Sequence, residues 1–225
     1  AKQVYKTDKE DEYLIHYKDD ATAGNGVKHD KFEGKGVLNN TISCIIFDML
    51  EEAGIKTHMI KKLNERDILV KKVDIFPLEV IVRNITTGSF CKRLGAPEGI
   101  VLDEPIFEMS YKNDEYGDPL INDDHAVALK LATREELAYI KETTLKINEL
   151  LKEFFLSMNL KLVDFKIEFG KTADGTILLA DEISPDSCRL WDVDTNQKYD
   201  KDVFRQDIGD LIETYKAVLA RMQNK

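Results

Sequence analysis

The sequence predicts an α+β fold of two lobes, in which antiparallel sheets carry flanking helices. Strand-like segments dominate residues 4–84, with one helix among them. Helical periodicity then covers residues 133–159 and 203–222, and a hairpin lies between those two helices. The chain has 225 residues, 43% of them hydrophobic, which fits one large domain or two small lobes packed together. Strands and helices that are segregated along the chain are typical of α+β proteins.

Two short strands open the first lobe, at residues 4–5 and 13–17, around a polar turn at 7–11. The next segment, residues 19–26, is small and rich in glycine. We interpret it either as a flexible connection or as a loop whose backbone approaches a ligand. Apolar residues then recur at helical spacing over residues 37–53, and Gly54 marks the end of that helix. Further strands are predicted at residues 57–63, 68–72 and 76–84.

A phosphate pocket is predicted where the strand at 76–84 ends. Arg83 lies at that end, residues 85–89 read Ile-Thr-Thr-Gly-Ser, and two further cations, Lys92 and Arg93, follow. Exposed backbone N–H groups, a hydroxyl and a guanidinium all suit phosphate oxygens. The alternative is an ordinary strand end with incidental surface charges.

The second lobe begins with a strand at residues 103–111 and a long polar loop at 112–122. Such loops are usually solvated, although phosphoryl-transfer enzymes use the same residue types to position phosphates and metal ions. A capping box at residues 133–136 starts a helix that extends to Asn159. Residues 184–192 form a turn-rich segment, and one amphipathic helix is predicted at residues 203–222.

A hairpin near the C-terminal third carries the most informative pattern. Residues 162–170 alternate charged with apolar side chains, and residues 177–183 form the returning strand. If Asp174 and Gly175 are the tip of a type I′ turn, Glu168 lies directly opposite Asp181. Opposed carboxylates destabilise a strand pair unless solvent or a cation separates them, and Mg²⁺ prefers such oxygen ligands. A solvated outer face is the alternative.

The composition excludes several classes of protein. A net charge of −10 argues against nucleic acid as the main partner. Three widely spaced cysteines indicate neither a disulfide framework nor a zinc site, so we expect a reducing, cytoplasmic compartment. No apolar run approaches the roughly 20 residues of a membrane helix, and we expect no membrane association.

Taken in order along the whole chain, several long motifs resemble the SAICAR synthetase (phosphoribosylaminoimidazole-succinocarboxamide synthetase) family. The motifs are PLEVIVRN at 77–84, TGS at 87–89, KND at 112–114, Gly-Asp-Pro at 117–119, LVDFKIEFG at 162–170, DEISPD at 181–186 and RLWD at 189–192.

The resemblance implies an ATP-dependent ligase that joins L-aspartate to the carboxylate of carboxyaminoimidazole ribonucleotide (CAIR) in purine biosynthesis. It implies ATP and Mg²⁺ as cofactors, a homodimer, and a two-lobed fold related to protein kinases and ATP-grasp enzymes. Residues 1–83 are then the ATP-binding lobe, and residues 84–225 bind the substrates and the metal.

The resemblance also assigns roles to single residues. Metal ligands would be Glu168 and Asp181, and these two with Asp164 and Lys166 form the catalytic set. Contacts to the CAIR phosphate would come from Arg83, Ser89 and Arg189. ATP would be met by Lys2, Lys71 and Lys112 at its phosphates and by the segment with Glu79 and Val82 at its adenine.

Two segments depart from the family pattern or match it in part. Residues 1–5 resemble the second half of a glycine-containing hairpin that covers the ATP phosphates, and we expect the first half upstream of Ala1. Residues 20–26 keep a hydroxyl at Thr22, but Asn25 replaces the carboxylate that the family has there. Substrate contacts are expected from Thr22.

The chemistry implied is activation of the CAIR carboxylate by phosphorylation, followed by attack of the aspartate amine. A small-molecule kinase of the same two-lobed type is the nearest alternative, because it would need no amine acceptor. A nucleotide-binding module without catalytic activity is the alternative from a different class.

Overall fold

The computed structural model describes residues 2–224, which form thirteen strands and six α-helices. The strands are β1 (Lys2–Lys6), β2 (Glu12–Tyr17), β3 (Asp20–Ala23), β4 (Lys28–Lys31), β5 (Met59–Lys62), β6 (Asp67–Lys71), β7 (Asp74–Ile75), β8 (Leu78–Ile85), β9 (Val101–Tyr111), β10 (Leu120–Ile121), β11 (Leu160–Lys171), β12 (Ile177–Ala180) and β13 (Cys188–Asp192). The helices are α1 (Lys35–Glu52), α2 (Gly88–Leu94), α3 (Asp123–Ala128), α4 (Arg134–Leu156), α5 (Asp202–Arg205) and α6 (Leu211–Gln223).

Three sheets organise the chain, and all the strand pairs within them are antiparallel. The first sheet has the order β1-β2-β6-β5, and β3 pairs only with β4. The largest sheet has the order β10-β9-β8-β11-β12, with β7 and β13 also paired to β11. The predicted α+β fold with antiparallel sheets and flanking helices is confirmed.

Strand β11 is the centre of the largest sheet. Its twelve residues pair with β7, β8, β12 and β13. Phe165, Ile167 and Phe169 are all at most 1% exposed, so one face of the strand is fully buried in the core. Burial of an aromatic or branched side chain stabilises the fold by about 1.5–3 kcal/mol. Because four strands pair with β11, this strand fixes the relative positions of the side chains on those strands.

Helices α1 and α4 cover the sheets as their patterns predict. Helix α4 starts at a capping box, in which the Thr133 hydroxyl accepts from the backbone N–H of Glu136 and the Glu136 carboxylate accepts from the backbone N–H of Thr133. It packs on β8 and β11, whereas α1 packs on β2, β5 and α6. One hydrophobic core contains residues from both sheets, such as Ile68 of β6 and Val80 of β8.

The segment at residues 19–26 is not a flexible connection, and its approach to a ligand stays a prediction. It forms most of a hairpin, in which β3 and β4 pair with Asp20 opposite Lys31 and Ala23 opposite Lys28. Ala21 joins a second hydrophobic cluster with Val203, Phe204 and other residues of the C-terminal helices. The strands were missed because β4 reads Lys-His-Asp-Lys and offers no apolar alternation.

The C-terminal region also differs from its prediction. The single helix expected at residues 203–222 is split into α5 and α6, because Asp207 has φ 54° and Asp210 caps a new helix by accepting from the Glu213 N–H at 2.9 Å. The turn-rich segment at 184–192 ends in strand β13, which extends the largest sheet beside β11.

The register predicted for the hairpin at residues 162–183 is wrong by one residue. Glu168 lies opposite Ala180, not Asp181, and Lys171 lies opposite Ile177. The Gly175 N–H donates to the Thr172 carbonyl at 2.9 Å, and Gly175 has φ 89°. The tip is therefore a three-residue loop with glycine in the left-handed position, which suits an Asp-Gly pair as well as a type I′ turn does.

The first sheet is built from residues 2–71 and the largest from residues 74–192. The predicted boundary after residue 83 falls inside β8, and a division of function between the lobes stays a prediction. Ala1, part of the segment compared with a phosphate-covering hairpin, lies outside the described residues. None of the helices within residues 2–224 combines the length and apolar character needed to cross a membrane.

Candidate active site

One face of β11 carries Asp164, Lys166 and Glu168, since alternate residues of a strand share a face. Asp164 and Lys166 line a cleft of about 490 Å³, which we call the main cleft. Other parts of its wall are residues 22–26, Glu79, Arg83, Ser89, Asp186, Arg189, Lys201 and Arg205. Cations and small polar groups thus surround an open space, as an anionic ligand requires.

Arg83 is the buried hub of one end of the main cleft. Its Nε donates to Glu108 Oε2 at 3.1 Å, its Nη1 to Asp164 Oδ2 at 3.4 Å and its Nη2 to Ser89 Oγ at 3.0 Å. Arg189 Nη1 donates to the same Asp164 Oδ2 at 3.0 Å. Burial raises the pKa of the Asp164 carboxyl even though two guanidinium groups contact it. We call Arg83, Ser89, Asp164 and Arg189 the arginine cluster.

The arginine cluster depends on a close backbone approach at Gly88. A Cβ atom added to Gly88 would come within 2.7 Å of Arg189 Nη2, and the residue has φ 58°. Only glycine satisfies both conditions without cost. Arg189 is held from its other side by Asp202, whose Oδ2 accepts from Nε at 2.9 Å. The predicted turn at 85–89 is thus the last residue of β8, a short extended link and the start of α2. In it the Ser89 hydroxyl accepts hydrogen bonds from Arg83 Nη2 and from Arg93 Nη1, each at 3.0 Å.

Lys166 is the hub of a second group of charges. Its Nζ lies 3.0 Å from Glu168 Oε1, 3.5 Å from Glu79 Oε1 and 3.6 Å from Asp181 Oδ2. Two more lysines neutralise this group from other directions. We call it the lysine-carboxylate cluster, which consists of Lys2, Glu79, Lys112, Lys166, Glu168, Asp181 and Glu182.

Salt bridges join the charges of this cluster. Lys112 Nζ lies 2.9 Å from Glu168 Oε2, and Lys2 Nζ pairs with Asp181 and, at 3.1 Å, with Glu182 Oε1. Burial opposes charge on Asp181, but Lys2 and Lys166 outweigh it and lower the pKa of the carboxyl. Burial also opposes charge on Lys166, but the surrounding carboxylates raise its pKa. Lys166 therefore stays an ammonium at neutral pH and can donate to phosphate oxygens, but it cannot act as a general base.

Asp181 reaches the cluster despite the shifted register. It follows the last residue of β12 and has φ 58°, a left-handed conformation that aspartate tolerates better than most residues. This turn out of the strand lets its carboxylate meet the same Lys166 ammonium as Glu168. His58, which is 3% exposed, lies beside the turn and hydrogen-bonds the Asp181 backbone. Burial and then the Lys2 charge lower the pKa of His58 to about 4.

The chemistry of these ligands fits a hard divalent cation. Carboxylate oxygens of Glu168 and Asp181 both lie within 3.6 Å of one point, the Lys166 Nζ atom. Within residues 2–224 no group of three or more His, Cys, Asp or Glu side chains is arranged to hold a metal ion. Two protein carboxylates are nevertheless the usual protein share for Mg²⁺, which takes its other ligands from substrate phosphates and water.

Most of the residues singled out from the sequence meet in the main cleft and the two clusters, and Thr22 lines the cleft from the β3–β4 hairpin. Of the residues to which the family resemblance assigned roles, two do not meet there. Lys71 is exposed and lines a second cleft of about 660 Å³ with Lys171 and Asp174. Val82 is 0% exposed in the hydrophobic core.

Known proteins match this chain along nearly its whole length. The profile of the SAICAR synthetase family matches residues 1–222. The chain belongs to the SAICAR synthetase family. It is 67% identical over 223 residues to the phosphoribosylaminoimidazole-succinocarboxamide synthase of Finegoldia magna, covering 99% of this chain and 96% of that one.

Solved SAICAR synthetases have the same fold. The enzyme of Pyrococcus horikoshii OT3 superimposes with a TM-score of 0.95 at 50% identity, over 100% of this chain and 98% of that one. A SAICAR synthetase in complex with ADP gives a TM-score of 0.97 at 50% identity, over 100% of this chain and 96% of that one. SAICAR synthetases are ATP-dependent ligases that join CAIR and aspartate in purine biosynthesis, and the chain is such an enzyme.

Several residues of this SAICAR synthetase site were missed by sequence reasoning. Lys35 is 1% exposed, and its Nζ lies 2.6 Å from Asp186 Oδ2 and donates to the Asp20 carbonyl at 3.0 Å. Lys201 and Arg205 line the main cleft from the C-terminal region. A lysine between two glycines, Gly34 and Gly36, was the one local signal. The rest depends on contacts between distant parts of the chain.

Proposed function

We propose that this chain carries out its ligation in the main cleft, with the CAIR phosphate on the arginine cluster and phosphoryl transfer at the lysine-carboxylate cluster. One observation carries the proposal: β11 presents Asp164 to the first cluster and Lys166 and Glu168 to the second. A single strand thereby sets the spacing between two clusters, one for the phosphate of CAIR and one for the reaction at its carboxylate.

The proposed course has two steps. A CAIR carboxylate oxygen attacks the γ-phosphorus of ATP, the bond to the bridging oxygen breaks and ADP leaves, which gives a carboxyl phosphate. The aspartate amine then attacks the acyl carbon, inorganic phosphate departs with its electron pair, and the amine loses a proton to solvent. Activation is needed because an unmodified carboxylate has no adequate leaving group.

In this proposal the residues act by position and charge. Arg83, Arg189 and Ser89 hold the CAIR phosphate, and Asp164 keeps the two guanidinium groups in place. Lys166, Lys2 and Lys112 donate to the phosphate oxygens of ATP, where their fixed charges need no reorganisation. Most of the acceleration then comes from orientation and preorganised electrostatics.

Glu168 and Asp181 are proposed as the protein ligands of Mg²⁺. When bound, this ion would neutralise negative charge that gathers during phosphoryl transfer. A related enzyme of known structure holds ADP, and this supports a nucleotide site here as well. We expect Glu79 to meet the nucleotide from the wall of the main cleft. Lys71 would contact it only from the second cleft, and Val82 only through its backbone in β8.

Three coarser expectations complete the proposal. Residues 1–83 bind mainly ATP, and residues 84–225 bind mainly the other substrates and the metal. The enzyme is a cytoplasmic homodimer, as the family resemblance suggests. Analytical ultracentrifugation of the purified chain tests the dimer, and a monomer at micromolar concentration would exclude it.

A steady-state assay of phosphate release with ATP, Mg²⁺, CAIR and L-aspartate, each omitted in turn, tests the function. We expect release only with all four components. Release with CAIR alone at the full rate would instead indicate a kinase that phosphorylates CAIR, and the obligatory ligation would be wrong. Release that is unchanged without Mg²⁺ and with EDTA would exclude the proposed metal site.

A further inference from the structure

Asp200 is a fully buried carboxyl group that the proposed reaction does not use. Its Oδ2 accepts from the backbone N–H of Leu190 and its Oδ1 from the backbone N–H of Asp202, each at 2.8 Å. Burial and the neighbouring Asp202 carboxylate raise the pKa of Asp200 to about 7, although the two N–H groups and the charge of Arg189 oppose them. The fold therefore keeps a carboxyl group at a place where its ionisation is costly.

The Asp200 side chain joins strand β13 to helix α5. Just before it, the chain runs alongside β13, where the Tyr199 N–H donates to the Leu190 carbonyl at 2.8 Å. The Leu190 N–H then finds its acceptor in the Asp200 side chain, so the N–H is satisfied while the backbone turns away into α5. Because α5 begins at Asp202, whose N–H the same carboxyl group accepts, Asp200 fixes the end of the strand ladder and the start of the helix together.

Both of these N–H groups lie next to an ion pair of the main cleft. Leu190 follows Arg189 in β13, and Asp202 accepts from Arg189 Nε through its Oδ2 at 2.9 Å. On the side of β11, Asp164 accepts from Arg189 Nη1 at 3.0 Å. Two carboxylates thus orient the guanidinium, and within residues 2–224 its Nη2 donates to no protein group. These donors are left for a ligand in the cleft that Arg189 lines.

We propose that Asp200 is a positioning residue for the substrate phosphate, because it fixes the backbone on both sides of the Arg189–Asp202 ion pair and so sets the orientation of Arg189. This assignment rests on the proposed function and deepens it, since that function assigns Arg189 to the CAIR phosphate. Two acceptor oxygens are required to serve both N–H groups. Asparagine has nearly the same size as aspartate, but it has one acceptor oxygen and would turn an amide N–H toward one of the two donors.

The test is the variant Asp200→Asn, with initial rates measured at saturating ATP, Mg²⁺ and L-aspartate while CAIR is varied. We expect KM for CAIR to rise roughly tenfold or more, the equivalent of one hydrogen bond to a charged group. KM for ATP should stay within about threefold, since the contacts of the lysine-carboxylate cluster do not involve Asp200. The change in kcat should be smaller than the change in KM, because Arg189 contacts a part of CAIR that does not react.

Binding without turnover gives a second measurement. Calorimetric titration of the enzyme with CAIR alone should show a Kd that rises by the same factor as KM. Asp200→Asn should fold, because a pKa of about 7 means that the fold accepts the uncharged carboxyl group near neutral pH. Asp200→Ser, which keeps one acceptor in a smaller side chain, should show the same selective loss of affinity for CAIR.

Asp192→Asn is the matched control. Asp192 is a buried aspartate at the other end of β13, where its Oδ1 accepts from the N–H groups of Asp194 and Thr195 at 2.9 and 3.0 Å and its Oδ2 from Arg221 Nη2 at 2.9 Å. This variant should lower stability in urea unfolding and leave KM for CAIR unchanged.

The positioning role is wrong if Asp200→Asn keeps the wild-type KM and Kd for CAIR, if KM for ATP rises by as much, or if Asp192→Asn raises KM for CAIR equally. Failure of the proposed function would look different, because the wild type itself would then release no phosphate with the full set of substrates.

Discussion

Gly88 lies directly against the guanidinium of Arg189, so close that a Cβ atom on Gly88 would come within 2.7 Å of Nη2 and 2.8 Å of Nη1. The absence of a side chain at residue 88 is thus a condition for the position of Arg189. This explains why the sequence places a glycine between the end of β8 and the serine hydroxyl of the arginine cluster.

Gly88→Ala should therefore impair the phosphate end of the cleft. The left-handed backbone costs about 1–2 kcal/mol for an alanine, and the methyl group must also displace Arg189. We expect KM for CAIR to rise by about tenfold or more, as for loss of a hydrogen bond to a charged group. Gly95→Ala is the control, because Gly95 ends the same helix at φ 63° with open space around its added Cβ. It should show the backbone cost in urea unfolding without the change in KM; equal effects on KM would mean that the contact with Arg189 is irrelevant.

Asp181→Asn should reduce turnover by several orders of magnitude while the protein stays folded. Asparagine tolerates the left-handed conformation at residue 181, so the backbone has no reason to change. The loss comes from the missing negative charge between Lys2 and Lys166 and from the missing carboxylate that we propose as a metal ligand. The measurements are single-turnover kinetics and the Mg²⁺ concentration for half-maximal rate. Asp174→Asn, at the exposed tip of the same hairpin, should retain wild-type turnover, and a wild-type rate for Asp181→Asn would contradict the proposed site.

His58 should make the protein less stable in weak acid. Its pKa is lowered to about 4 in the folded state by burial and by Lys2, against about 6.5 in an unfolded chain. Between those values the unfolded state binds more protons than the folded state, so the free energy of unfolding falls as the pH drops. The contribution of neutral His58 to stability is complete above about pH 6.5 and is lost as the pH falls to about 4. The total effect is on the order of 3 kcal/mol.

The test compares His58→Gln with the wild type by urea unfolding at a series of pH values. The difference between their unfolding free energies should shrink as the pH falls from about 7 to about 4, because only the wild type has this group to protonate. His125→Gln, at an exposed position, is the control and should run parallel to the wild type. A difference for His58→Gln that does not depend on pH would show that His58 is not held neutral.

Asn84 and Asn148 should be energetically coupled. Their side-chain amides form a reciprocal buried pair, with Nδ2 to Oδ1 distances of 2.8 and 3.0 Å, and they join β8 to α4. Asn148→Ala leaves a buried amide partly unpaired, which costs about 1–3 kcal/mol. The double variant should be destabilised by less than the sum of the single variants, as a double-mutant cycle measures. Additive losses would show that the pair contributes nothing as a pair.

Sequence reasoning succeeded where one local signal decided the structure. The capping box at Thr133 and the apolar stripe after it predict α4, and the alternation in residues 162–170 predicts β11 with its charged face. Both patterns are informative because a helix or a strand buries one of its faces, and the apolar residues of that face recur with the period of the element. Arg83 and Ser89 of the arginine cluster were singled out in a similar way, from a strand end followed by small polar residues, whereas Arg189 came only from the family resemblance.

The carboxylate pair was predicted for a reason that the structure overturns. An Asp-Gly pair suits the centre of a two-residue turn, and it equally suits the last two positions of a three-residue loop. The sequence does not distinguish these, and the actual loop shifts Glu168 to face Ala180. The two carboxylates converge on Lys166 because Asp181 leaves the strand with positive φ, a conformation that periodicity does not report.

The remaining misses involve contacts between distant parts of the chain. Strand β4 is polar throughout, and its hairpin is fixed by Lys28, whose Nζ lies 2.6 Å from Asp207 Oδ1 and over the Phe204 ring. Lys35, at the start of α1, pairs with Asp186, which lies beyond β12 in the C-terminal part of the chain. No window of local sequence contains both members of such a pair, so neither can be assigned a role before the fold is known.

Because both clusters include residues of β11, this strand fixes the distance between them. Residues advance by about 3.3 Å along a strand, so Asp164 and Glu168 are about 13 Å apart along its axis. A ligand whose phosphate and carboxylate are spaced to match this length can engage both ends at once, whereas a shorter or longer phosphorylated acid reaches only one. Four neighbouring strands pair with β11, so the distance between the two clusters cannot adjust to a ligand of another length. In the proposed function the sheet thus selects substrates by their length, independently of any contact that side chains make with the ring between the two ends.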